Sequence, residues 1–254
     1  MTVMMDESRP FSVTVFRYIF ISLCLLFAIG GGLYYYLVVV NDPIAEHIEE
    51  NNIYLVEGRL VKNKEEHDIN FIFFSEIPED TVNAFVAMED ARFFHHSGVD
   101  YIGVLRALWV NIVSQELQQG GSTITQQLAK NLFLEHDRTV DRKLTEIRIA
   151  LALENIYSKQ EILEMYLSQI YFGHGNRGIR QAAQAYFNKE ATELTLGEGA
   201  LLAGIIQAPN AFAPVNGWDT AVNRQKLVLE RMEELKKITA EEAEAARSEA
   251  KRWR

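Results

Sequence analysis

Cysteine is almost absent. Cys24 is the only one in 254 residues, which excludes an internal disulfide and a thiolate metal site. Proline and glycine are scarce as well, at 5 and 15 residues, so a collagen-like or low-complexity chain is excluded. Positive charge is also in deficit. The formal net charge is −10, whereas a general nucleic-acid binder needs a basic face to displace counterions from phosphates. Any anionic substrate must therefore be met by a local basic cluster. What is present, 48% hydrophobic and 24% charged residues, suits one domain of ordinary size plus a small extra segment.

The segment from Tyr18 to Val40 carries no charge over 23 residues. A helix rising about 1.5 Å per residue would cross the ~30 Å hydrocarbon layer of a membrane over that length. Tyr34, Tyr35 and Tyr36 would sit near an interface, where amphipathic rings are favoured. A cleaved signal peptide is the alternative, but its apolar core spans only about 7–15 residues and ends at small residues. Here the apolar run continues past Gly30, Gly31 and Gly32. Arg9 and Arg17 precede the segment and Arg59 follows it, a Lys/Arg bias that places the N-terminus inside and the large domain outside.

Beyond the span, Ile53 to Val56 and Ile69 to Phe74 could pair as strands around the polar stretch Lys62 to Asp68. From Pro78 onward the pattern is helical. Thr123 with Gln126, Ser158 with Glu161, Thr195 with Glu198 and Thr239 with Glu242 read as capping boxes. Leu105, Leu108, Trp109, Ile112 and Val113 form one apolar helix face, and so do Leu144, Ile147 and Leu151. The first face is expected in the core, with a helix that dips into lipid as the second reading.

Four polar clusters interrupt these helices. Glu89-Asp90-Ala-Arg-Phe93 runs on through His96 and Gly98 to Asp100, like the edge of a cleft. Gly120-Gly121-Ser122-Thr123-Ile-Thr-Gln126-Gln127 leads to Lys130. Its glycines ahead of a helix start are expected to present unpaired backbone N–H groups to an anion. Arg138 and Arg142-Lys143-Leu-Thr-Glu146 place a carboxylate one turn from an arginine, for which an ion pair is the plain explanation. The fourth runs from Lys159 through Glu164, Tyr166 and Ser168 to Gly178, Ala182 and Phe187, and its small residues suggest helix packing.

In this order and spacing, with Leu196-Gly-Glu198-Gly-Ala200 and Pro209-Asn210 as a fifth, these clusters resemble the motifs of the peptidoglycan glycosyltransferases. That family comprises the transglycosylase domain of class A penicillin-binding proteins and the monofunctional peptidoglycan transglycosylases. The resemblance covers about Phe71 to Leu235. It implies a mainly α, lysozyme-like glycosyltransferase domain with a short β-like segment, preceded by one transmembrane helix. The implied layout is a cytoplasmic N-terminus at 1–17, a transmembrane helix at 18–40, a linker with a short β segment at 41–70, a glycosyltransferase domain at 71–238 and a charged helix at 239–254.

The implied activity is polymerisation of lipid II into glycan strands, with inversion at the anomeric carbon and release of undecaprenyl pyrophosphate. Glu89 matches the catalytic base that takes the proton from the acceptor's 4-hydroxyl, and Glu146 the second essential carboxylate. Substrate contacts carry over to Asp90, Phe93, Arg106, Ser122, Gln126, Gln127, Lys130, Arg138 and Arg142. Lys130, Arg138 and Arg142 would bear the pyrophosphate, while Glu146 would orient a basic group or hold a divalent cation, Mg or Mn. No cofactor is otherwise required. The implied partners are lipid II, the growing strand, the membrane and other cell-wall synthesis proteins. The implied location is the bacterial plasma membrane, with the catalytic domain outside.

Ser168 departs from the usual Asn, Phe212 stands where Tyr is common, and Gly197 and Gly199 are expected to loosen a helix start. A lysozyme-like glycan hydrolase would also use a Glu in a helical cleft, but it needs neither an anchor nor a basic cluster. An inactive scaffold for cell-wall synthesis would have no use for Glu89, Lys130 and Glu146. The chain reads as glycosyl transfer without transpeptidation. A naturally monofunctional protein and a piece of a longer one look alike at this level.

Overall fold

Hydroxyl residues at helix starts set many of the boundaries. A computed structural model describes residues 21–25, 27–32, 54–56, 59–61, 70–114, 121–134 and 140–250. All four predicted capping boxes are formed: the Thr123, Ser158, Thr195 and Thr239 side chains each accept from the backbone three residues on, and the residue there reciprocates. They open α3 (Ile124–Phe133), α5 (Lys159–Gln169), α7 (Leu196–Ile205) and α10 (Ala240–Glu249). The others are α1 (Glu79–Glu89), α2 (Tyr101–Ser114), α4 (Val140–Ile156), α6 (Ile179–Phe187), α8 (Pro209–Phe212) and α9 (Trp218–Glu234). The molecule is mainly helical, as expected.

The chain divides into two units, Met1–Asp42 and Pro43–Arg254. In the first, residues 21–25 and 27–32 are helical, with Ile21, Leu23, Leu25, Phe27 and Ile29 exposed. The rest of the predicted span 18–40 lies outside the described residues. Among the described residues no helix is long and apolar enough to cross a membrane.

In the second unit, strand β1 (Tyr54–Val56) pairs antiparallel with β2 (Arg59–Val61), Val56 opposite Arg59. The predicted partner Ile69 to Phe74 is corrected: the run nearer in sequence pairs instead, at a smaller entropic cost of closure. Segment 72–74 instead hydrogen-bonds to α5. The Ser168 hydroxyl accepts from Ile72 N–H at 3.0 Å, and Glu164 accepts from Phe74 N–H at 2.9 Å. Ser168 thus fills a structural role where the resemblance expects Asn. A second small hairpin joins β3 (Tyr171–Gly173) to β4 (Asn176–Arg177).

The core is built around α7, whose residues Gly197 through Ile205 are all buried. A helix apolar on every side belongs in the interior, and α7 packs against α1 and α9. Gly199 makes this possible. A Cβ there would stand 2.6 Å from Thr81 Oγ1 and 3.1 Å from Thr81 Cα. The glycine therefore sets a close helix crossing, and the expectation that it loosens a helix start is corrected. Glu198, at the same start, completes the box with Thr195 and pairs with Lys189 at 2.7 Å, a structural duty.

Two expected apolar faces need revision. On α2, Leu105 and Trp109 are 41% and 69% exposed, with Ile102 beside them at 58%, so this face is not core. The side chains of Leu108, Ile112 and Val113 lie outside the described residues. On α4, Leu144 is exposed and Ile147 half-buried, while Leu151 is buried as expected, together with Ile149, Ala150 and Leu153.

Candidate active site

Glu89 and Asp90 end the same helix, yet their carboxylates go to opposite tasks. A helix C-terminus is the wrong pole for a negative charge. Asp90 escapes it by capping another helix. Its Oδ2 accepts from Ile124 N–H at 3.1 Å, at the first residue of α3, and both its oxygens lie within 3.0 Å of His96 Nε2. Two further donors at that helix start are taken too. Thr123 N–H goes to Gln126 Oε1 at 3.0 Å and Gln126 N–H to Thr123 Oγ1 at 3.1 Å. The expectation of unpaired backbone donors is thereby corrected for Thr123, Ile124 and Gln126, whose N–H groups protein side chains already satisfy; Gly120 lies outside the described residues.

Thr123 Oγ1 also donates to Gly98 O at 2.6 Å, tying the Glu89–Asp100 loop to α3. Gly98 has φ +80, and a Cβ there would lie 3.0 Å from Ala150 O, so glycine lets the loop lie flat on α4.

Glu89 is partly buried. Gln127 Nε2 donates to its Oε2 at 2.7 Å, and the Tyr166 hydroxyl donates to Gln127 Oε1 at 3.2 Å. Burial pushes the Glu89 carboxyl above its ordinary value of 4.5, against the Gln127 hydrogen bond and the charges of Arg224 and Lys130. Such a group holds a proton more readily than a surface carboxylate. It lines a cleft of about 640 Å³. One wall carries Asp90, Arg106, Ser122, Thr123 and Gln127; α9 adds Leu227, Glu230, Arg231 and Glu234.

Beside Ser122 stands a cationic cluster. Lys143 Nζ donates to Ser122 Oγ at 3.0 Å and forms a close pair with Glu146, which also meets Arg142 Nη1 at 3.4 Å. Glu146 is buried. Its carboxylate pairs with two cations, Arg142 and Lys143, and the first of these is the ion pair expected from their spacing. Among the described residues no group of three or more His, Cys, Asp or Glu side chains is placed to hold a metal ion.

The structure thus brings Glu89, Asp90, Arg106, Ser122 and Gln127 to one cleft, with Lys143 and Glu146 next to Ser122. Lys130 is exposed, its charge acting on Glu89. Phe93 is fully buried, stacked edge-on with His96 beneath Lys159, so it packs rather than faces a ligand. Gln126 is buried in its capping box. Arg138 lies outside the described residues.

Residues 57–233 match the family described as Transglycosylase, a stretch that contains every residue of this cleft but Glu234. The chain belongs to the transglycosylase family. It is 39% identical to penicillin-binding protein 1A of Vibrio cholerae, over 91% of this chain and 29% of that protein. It is 47% identical to penicillin-binding protein 1F of Bacillus subtilis, over 75% of this chain and 26% of that one. A crystal structure of penicillin-binding protein 1A from Haemophilus influenzae is 27% identical, over 69% of this chain and 16% of that chain, with a TM-score of 0.41. The chain spans 25% to 32% of the length of the curated relatives it matches.

Within this transglycosylase domain, three residues escaped sequence reasoning. Lys143 was visible only as the neighbour of Arg142, although its i,i+3 spacing to Glu146 is a usable signal. Tyr166 sat in a cluster read as helix packing. Arg224 gave no local signal. It reaches the site by tertiary packing, bonding Gly204 O at 3.0 Å and Gln207 Oε1 at 2.7 Å, with its guanidinium 4.9 Å from the Phe212 ring. One Ser-x-x-Lys also stands in the chain, Ser248 to Lys251, but Ser248 is exposed on α10 and does not line the cleft.

Proposed function

We propose that this chain is a peptidoglycan glycosyltransferase that polymerises lipid II into glycan strands. The observation that carries the reading is the Glu89 carboxyl, desolvated in a cleft that also holds Ser122, which is bonded to Lys143 of an adjoining cationic cluster. A base in a cleft with an anion holder adjoining it suits attack by a hydroxyl with departure of a pyrophosphate. Glu89 takes the proton from the 4-hydroxyl of lipid II as that oxygen attacks the anomeric carbon of the growing strand. The bond to pyrophosphate breaks on the opposite face, so the centre inverts and undecaprenyl pyrophosphate leaves. A carboxyl with a raised pKa holds such a proton near neutral pH.

Charge developing on the pyrophosphate falls to Lys143, aimed by Glu146, with Arg142, Lys130, Arg106 and Arg138 as further cations. The scheme needs no resident cofactor. A divalent cation such as Mg or Mn would find the Glu146 carboxylate already taken by Arg142 and Lys143. In this reading the domain is lysozyme-like and residues 18–40 anchor it in the plasma membrane, with the catalytic unit outside. The exposed apolar side chains at Ile21 to Ile29 suit lipid. Other cell-wall synthesis proteins are its partners. Incubating the purified chain with labelled lipid II and separating products on a gel tests the proposal; a ladder of glycan is the expected result, and release of shorter fragments from preformed glycan would indicate a hydrolase instead.

A further inference from the structure

Tyr166 is fully buried, and its hydroxyl donates to Gln127 Oε1. On its other side the same amide donates from Nε2 to Glu89 Oε2 at 2.7 Å. An amide has one accepting and one donating end, and the two are nearly equal in shape. Facing Glu89 alone, it could present either end. The NH2 end stabilises the carboxylate, and the C=O end stabilises the protonated acid. A hydroxyl that donates to the far side removes that ambiguity, because a donated proton pairs with the C=O and not with the NH2.

We propose that Tyr166 is a positioning residue that locks the Gln127 amide with its NH2 toward Glu89, and so keeps the base able to lose its proton. The donor is secure at working pH. Burial, with the nearby charges of Glu89 and Asp90, holds the Tyr166 hydroxyl well above its ordinary pKa, so it does not ionise. The groups that act on Glu89 are Asp90 at the end of α1, Gln127 and Lys130 of α3, and Arg224 of α9. Of these, only Gln127 is shown bonded to Tyr166, which itself comes from α5. A helix with no ionisable contact at the reacting atoms therefore tunes the base through one amide.

Tyr166→Phe removes the lock and little else. The ring keeps its place, Gln127 Oε1 loses its partner, and the amide turns its C=O to a protonated Glu89. The base then titrates higher, by roughly one pH unit, the scale on which single hydrogen bonds move carboxyl pKa values. The meaning for catalysis rests on the proposed glycosyltransferase reading, so the primary readout is independent of it. Titrate the full chain in detergent by NMR of 13C-labelled glutamate side chains, with Glu89→Gln identifying the resonance. The Glu89 midpoint should rise in Tyr166→Phe, and the acid limb of the polymerisation profile should rise with it. In a Gln127→Met background, Tyr166→Phe should move the midpoint no further.

An unmoved midpoint, or the same shift with Gln127 absent, overturns the proposal. A rate loss uniform across pH would do so too, since a merely structural tyrosine behaves that way. A shifted midpoint in a protein that makes no glycan leaves the lock intact and sinks only the proposed function.

Discussion

Glu89 can be separated from its neighbours by changing one atom. Glu89→Gln keeps shape and hydrogen-bonding reach but accepts no proton, and loss of a general base costs about 10²- to 10⁴-fold in rate. Binding of a donor analogue should survive, because Gln keeps the shape of the site and the proposed pyrophosphate cations Lys143 and Arg142 pair with Glu146 and not with Glu89. The same variant makes a stability prediction. Burial raises the folded pKa above the ordinary 4.5, so in the interval between the two values the folded state holds more protons than the unfolded one. Stability is then lost as pH rises from about the unfolded value through the folded one. Glu89→Gln removes that loss, so its melting temperature should exceed wild type at pH 7 and converge with it near pH 4. A gain that does not depend on pH, or a mutant that polymerises normally, would show that Glu89 only ends its helix. Lys143 belongs to the same scale. Lys143→Ala should cost on the order of 10²- to 10³-fold in turnover, as losing a preorganised charge partner does, and make activity more sensitive to salt; unchanged turnover at low and high salt would remove Lys143 from the anion site. At this scale the sequence showed the two carboxylates, because each stands in a dense local motif. It could not show that Tyr166 reaches Gln127 across 39 positions, a contact made only when α5 packs on α3.

Elements were legible where their causes are local. A capping box joins residues three apart, so four helix starts could be read directly and all four are formed. Helix crossings depend on partners far along the chain, and there reading by residue type misled: Gly197 and Gly199 looked like weak helix residues. Gly199 is instead the point where α7 meets α1, with Thr81 backbone behind it. The Thr81 hydroxyl can rotate away, but the Thr81 Cα, 3.1 Å from the added Cβ, cannot. Gly199→Val should therefore cost about 1–3 kcal/mol or more, as overpacking does, and lower the melting temperature by roughly 3–10 °C for a domain of this size. Helix propensity alone predicts the reverse sign, since glycine is the poorer helix former. Thermal melting separates the two. The hairpin failed for a related reason, since two runs competed for β1 and strand pattern does not rank turn lengths.

At the scale of the molecule, periodicity found the apolar face of α2 but could not say what lies against it. Core and lipid are equally apolar, and only the fold reveals that Ile102, Leu105 and Trp109 are exposed among the described residues. They stand at i, i+3 and i+7, one stripe on one helix. In the proposed reading, a lipid-linked substrate gives that stripe a use. Burying an apolar side chain of this size is worth about 1.5–3 kcal/mol, so Ile102→Ser with Trp109→Ser should weaken binding of the unit Pro43–Arg254 to phospholipid vesicles by about tenfold or more. Sedimentation with vesicles measures it. The segment 18–40 acts differently in this reading: it raises the local concentration of enzyme near lipid II rather than shaping the cleft. Comparing the full chain with residues 43–254 in liposomes at limiting enzyme should give lower but measurable polymerisation without the segment. The α2 variant should then lose far more activity in the shortened chain than in the full one, because the longer chain has a second hold on the bilayer. Equal losses in both backgrounds would mean that the stripe serves the substrate's passage and not the attachment of the protein.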